Sequence, residues 1–151
     1  MIWLWIAAAL FLLFLAASWS RKRKQKAAVA GIRAHFPRIA RLRLIAACPG
    51  LDGTLQETEL RMLFDWILLQ LYGRTQTSDF GELMQWTIEH GEGESLQLMS
   101  EVTRDAVDRL PAPVLQVIDG CEGRVVAAVI IDQALSETGR NIAPELNRKY
   151  V

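Results

Sequence analysis

Residues 2–19 include no charged side chain, and Arg21, Lys22, Arg23, Lys24 and Lys26 follow almost at once. No other feature constrains the chain as strongly. At 1.5 Å per residue such a run makes a helix of roughly 27–30 Å, close to the thickness of a bilayer's hydrocarbon core. The pattern predicts a transmembrane helix over residues 1–20, with Trp3, Trp5 and Trp19 near its ends, where an indole keeps its ring among headgroups. A secretory signal carries its positive charge ahead of the apolar run, so this order reads as a retained anchor. The basic cluster stays on the cytoplasmic side. The expected localisation is therefore the bacterial inner membrane, single-pass, with a periplasmic N-terminus and a cytoplasmic C-terminal domain. Membrane lipid is an expected partner, since each juxtamembrane Lys or Arg gains about 1 kcal/mol from an anionic leaflet.

The formal net charge of zero conceals a sharp division. No acidic residue precedes Asp52, and nine of the 17 Lys and Arg lie between Arg21 and Arg43. From Leu44 onward, 8 basic residues face 17 acidic ones, a net charge of −9. A domain so charged repels phosphate backbones, which argues against nucleic acid and in favour of a protein partner with a basic surface. Cys48 and Cys121 are too few and too far apart in sequence for a disulfide framework, and read as small core residues in a reducing compartment.

Beyond residue 20 the pattern is all-α. Residues 27–47 place Ile32, Phe36, Ile39, Leu42 and Ile45 at steps of three and four, with Pro37 expected to break or kink the helix. Residues 21–37 thus read as a basic juxtamembrane linker helix, and 38–151 as the cytoplasmic domain. Thr54-Leu55-Gln56-Glu57 has the form of a capping box opening a helix over 55–72, which Gly73 stops. Asp79 and Glu82 suggest the cap of a short helix that ends at Gly91-Glu92-Gly93. Leu98, Val102, Ala106 and Leu110 recur every fourth residue up to Pro111-Ala112-Pro113, and 114–118 adds a brief helical turn. The β-branched run 125–131 reads as a buried helix for want of a pairing strand, and Pro144 as the first position of a final helix.

One internal echo aligns Asp52-Gly53-Thr54-Leu55-Gln56-Glu57-Thr58-Glu59-Leu60 with Thr138-Gly139-Arg140-Asn141-Ile142-Ala143-Pro144-Glu145-Leu146. With Arg43-Leu44-Ile45-Ala46-Ala47 ahead of the first copy, the pattern over about residues 38–151 resembles the TerB-like family. The resemblance implies a helical bundle of two pseudo-repeated halves, and a tethered adaptor or envelope-stress role instead of a reaction. Family members bind metal through such acidic turns; Thr138 stands where the second turn would carry its Asp. No His-Pro-Asp tripeptide links the chain to the J-domain co-chaperones that share this anchored arrangement.

Asp52, Glu57, Glu59, Glu137 and Glu145 form the candidate set for a divalent cation, if the two turns meet. The alternative has Asp52 shaping a turn and Glu57 capping a helix. No other cofactor is implied. His90, flanked by Glu89 and Glu92, could serve as a base to Cys121 only if the fold joined them, and His35 lies in the basic segment. There is no Gly-rich phosphate loop, HExxH or GxSxG, so no enzyme activity is expected. Trp66 and Trp86 read as core or domain-face aromatics, with an exposed Trp among carboxylates also suited to anchoring a partner. The leading expectation is a membrane-tethered interaction module with an acidic helical surface. An immunity protein that neutralises a toxin is the rival, and a metal-binding switch or enzyme the third reading.

Overall fold

The computed structural model describes the backbone of residues 2–150 and the side chains of residues 21–149. It is a helical bundle, with five helices and no strand among the described residues. They are α1 (Ile2–Ala47), α2 (Glu57–Thr75), α3 (Phe80–Val107), α4 (Ala112–Asp119) and α5 (Arg124–Tyr150), with a 3₁₀ turn (Pro49–Leu51) after α1. α1 packs on α2 and α5, and α3 packs on both of these and also touches α1. The short α4 leans on α5 and the 3₁₀ turn.

α1 contributes one stripe to the core. Phe36, Ala40, Leu44 and Cys48 are buried at four-residue steps, with Val29 and Ile32 packed against them. The stripe differs from the one expected, since Leu42 is 57 % exposed and Ile39 and Ile45 only flank the core. Pro37 does not end the helix. Its missing N–H and ring clash cost about 3 kcal/mol in a helix interior, yet Pro37 is buried beside Phe36, where packing along α1 outweighs the local penalty. The segment 21–37 is consequently no free linker: Lys24 donates to Asn147 Oδ1 at 2.7 Å, and Gly31 lets Ile142 of α5 approach so closely that an added Cβ would lie 3.3 Å from Ile142 Cδ1. The domain begins well before residue 38.

This packing bears on the membrane expectation. Among the described residues no helix is long and apolar enough to cross a membrane, and that finding overturns the single-pass inner-membrane localisation, with its periplasmic N-terminus and cytoplasmic domain. From residue 21 on, the buried apolar residues of α1, Phe36, Ala40 and Leu44, belong to the protein core. The expected span 1–20, with Trp3, Trp5 and Trp19, lies outside the residues whose side chains are described.

α2 opens two residues later than the Thr54 box predicts. Gln56 is the cap, its N–H donating to Glu59 Oε2 at 3.4 Å, while the Thr54 hydroxyl reaches the Gly50 carbonyl. Leu55 and Leu60, at the two staple positions around that cap, are both fully buried. The helix runs through Gly73 and stops at Gln76, which holds a left-handed backbone (φ 54°, ψ 41°). A side chain there meets its own carbonyl, a strain glycine lacks. Gln76→Gly is expected to stabilise the fold by about 0.5–1 kcal/mol in urea denaturation.

α5 likewise runs through the expected turn at Thr138-Gly139 and through Pro144 as one helix. The Thr138 hydroxyl, fully buried, donates to the Ala134 carbonyl at 2.7 Å. The sequence echo thus has a turn in its first copy and helix in its second. The run 125–131 is helical but buried on one side only: Ala127, Ala128 and Ile131 face the core while Val125, Val126 and Val129 are exposed. Asp132 is half-buried, and burial alone raises its pKa above the usual carboxylate range. The folded state then binds its proton more tightly than the unfolded chain, so Asp132 favours folding at low pH and opposes it above its folded pKa. Asp132→Asn should raise Tm at pH 7, with the gain vanishing below about pH 4.

Candidate interaction surface

The Asp79 cap forms as the sequence indicates. Its Oδ1 accepts from the Glu82 N–H at 2.8 Å, and Glu82 Oε2 accepts in return from the Ser78 N–H at 2.8 Å. Leu83, 4 % exposed, pins this end of α3 to the core. The helix then breaks at Gly91, whose φ of 85° and ψ of 170° lie in a region essentially reserved for glycine. The Ser95 hydroxyl donates to the Gly91 carbonyl at 2.7 Å and lies 3.4 Å from the Thr87 carbonyl, which sets the turn carrying Leu96 beside the turn carrying Ile88. None of residues 84–97 is buried. The break lifts this stretch off the bundle.

The exposed stretch is apolar as well as acidic. Met84 and Ile88 lie one turn apart, Ile88 is 75 % exposed and Leu96 57 %. Trp86 and His90 stack with ring centroids 4.0 Å apart, and His90 Nδ1 lies 2.9 Å from the Trp86 carbonyl. Between Arg74 and Arg104 the sequence has no Lys or Arg and has Asp79, Glu82, Glu89, Glu92, Glu94 and Glu101.

Seven carboxylates among the described residues pair with arginines. Arg74 reaches Glu101 at 3.4 Å and Asp105 at 2.6 Å. Arg124 holds Asp108 and Asp119, and that hydrogen bond keeps the Asp119 carboxyl below its ordinary pKa. Three of the α1 arginines are engaged in the same way: Arg33 with Asp65, Arg41 with Asp52 and Arg43 with Glu137. Among the described residues Glu92 and Glu94 make no ion pair, and Glu89 only accepts from Gln85 at 3.1 Å. Negative charge without an ion pair therefore shares this stretch with Ile88, the most exposed large apolar side chain among the described residues.

The candidate cation ligands do not converge. Asp52 pairs with Arg41, Glu59 serves the α2 cap, and both Glu137 oxygens accept from Arg43 at 3.0 and 3.1 Å. Glu57 is exposed in the first turn of α2, and Glu145 lines a groove of about 550 Å³ between α1 and α5 with His35, Ile142 and Arg148. Among the described residues no group of three or more His, Cys, Asp and Glu is placed to hold a metal ion. Of the basic cluster, Arg21 is exposed, Lys22 and Lys26 line a second groove with Arg33, Tyr72 and Asp79, and Arg23 is engaged in a contact of its own. Trp66 is covered by the Arg109 guanidinium at 4.7 Å, a cation–π contact that ties α2 to the end of α3. His90 stays on α3, while the Cys121 thiol lies 3.5 Å from the Ala47 carbonyl.

Fold and surface together define an all-helical bundle with one broken, acidic helix. No family model matches the chain, and no curated protein or solved structure matches it.

The exposure of Met84, Ile88 and Leu96 in the same stretch as Glu89, Glu92 and Glu94 is not predicted by the sequence pattern. What marks this stretch in the sequence is the 29-residue gap in basic residues spanning a Gly-x-Gly break. The closeness of the two cysteines is not predicted either.

Proposed function

We propose that the chain is a protein-interaction module whose broken α3 binds a basic, amphipathic segment of a partner protein. The observation that carries this reading is the coincidence of exposed Met84, Ile88 and Leu96 with Glu89, Glu92 and Glu94, none of the three paired with a cation among the described residues. An apolar contact gains affinity from area removed from water, while unpaired carboxylates steer a cationic partner and reject an acidic one. The adaptor role expected from the sequence is kept and the tether is dropped.

The test is a titration of the full chain with a synthetic amphipathic helix of leucine and lysine, followed by tryptophan fluorescence. Binding that weakens steeply with salt, and that a glutamate-for-lysine version of the peptide does not reproduce, supports the reading. Equal binding of both peptides, or none, refutes it.

A further inference from the structure

Cys48 and Cys121 are 73 positions apart in the chain and adjacent in the fold. Cys48 follows the last turn of α1, and its thiol donates to the Val117 carbonyl of α4 at 3.6 Å. Cys121 follows α4, and its thiol donates to the carbonyl of Ala47, the residue just before Cys48, at 3.5 Å. The Cys121 thiol thus lies against the peptide bond that joins Ala47 to Cys48, and the Cys48 thiol against the helix that ends two residues before Cys121. Their environments are opposite: Cys48 is buried and Cys121 exposed, and both are free thiols.

We infer that Cys121 and Cys48 form a peroxide-sensitive dithiol that closes into an intramolecular disulfide, Cys121 reacting first and Cys48 resolving. Hydrogen peroxide is the oxidant. The Cys121 sulfur attacks one peroxide oxygen, an S–O bond forms as the O–O bond breaks, and one water leaves, giving a sulfenic acid. The Cys48 sulfur then attacks the Cys121 sulfur. The S–O bond breaks, the Cys48 proton passes to the departing hydroxyl, and a second water leaves with the disulfide formed. Exposure decides the order, because peroxide reaches Cys121 from solvent. Burial, with the neighbouring Cys121 adding to it, pushes the Cys48 pKa up to about 11, so Cys48 remains a protonated thiol until its partner is oxidised. The product would staple the end of α1 to the α4–α5 turn, two points separated along the chain by α2, α3 and α4.

The test uses the reduced full-length chain and a few equivalents of hydrogen peroxide. Mass spectrometry should show a loss of about 2 Da and a Cys48–Cys121 cross-linked peptide pair that dithiothreitol separates. The oxidised wild type should melt several degrees above the reduced one. Cys48→Ser should leave Cys121 trapped as a sulfenic acid that dimedone labels, whereas Cys121→Ser should leave Cys48 unmodified at the same dose. Wild-type Cys121 running on to sulfinic acid beside a free Cys48, a disulfide only between two copies, or no change in mass would each overturn the inference.

Discussion

Phe36→Ala is expected to lower folding stability by about 3–5 kcal/mol, a large share of the roughly 5–15 kcal/mol that holds a domain together. The ring is fully buried and lies 5.9 Å from that of Phe64, centroid to centroid, so truncation removes both the transfer term and an aromatic contact across the α1–α2 seam. Leu42→Ala is the matched control. That side chain is 57 % exposed, and its loss should change stability by less than about 0.5 kcal/mol. Urea denaturation of both variants separates the observed stripe from the one read off the sequence, which put Phe36 and Leu42 on the same face. Equal effects would mean that α1 docks in another rotation. A small effect for Phe36→Ala would mean that the basic segment is a linker after all.

The second large effect is on binding. Ile88→Asp should weaken capture of the leucine–lysine helix at least tenfold, about 1.4 kcal/mol. Ile88 is 75 % exposed in the free chain, so its replacement costs the fold little and the bound state a buried contact. Glu92→Gln with Glu94→Gln should act differently, lowering the association rate and flattening the salt dependence while leaving Tm nearly unchanged. Titration and stopped-flow mixing on the two variants read these effects separately. If Ile88→Asp binds as the wild type does, the apolar half of the surface plays no part.

What the sequence shows and what it hides divide along physical lines. Local chemistry was legible: the Asp79 cap, the glycine break after His90, and the four-residue recurrence of Val102 and Ala106, both fully buried in α3. These depend on neighbours one turn away. Pro37 and Pro144 were misread because proline's local penalty is fixed whereas the packing that offsets it is set by distant residues, such as Ile142 against Gly31. The run 125–131 is helical as its sequence context predicts, but its exposed valines show that β-branching reports stiffness and not burial. The candidate cation ligands are dispersed among the described residues for a similar reason. Asp52 and Glu137 pair with arginines and Glu59 serves the α2 cap, partners that no local pattern of carboxylates reveals. The thiol pair was invisible for the opposite reason, since no local pattern links residues 48 and 121 and only the folding of the bundle brings them together.

Amide chemical-shift mapping of the labelled chain during titration with the cationic amphipathic helix tests the central claim most directly. The predicted result is a contiguous set of salt-sensitive shifts across residues 84–97, centred on Ile88 and Glu92. Shifts gathered instead at the groove of His35 and Arg148, or spread thinly over the whole surface, would contradict it.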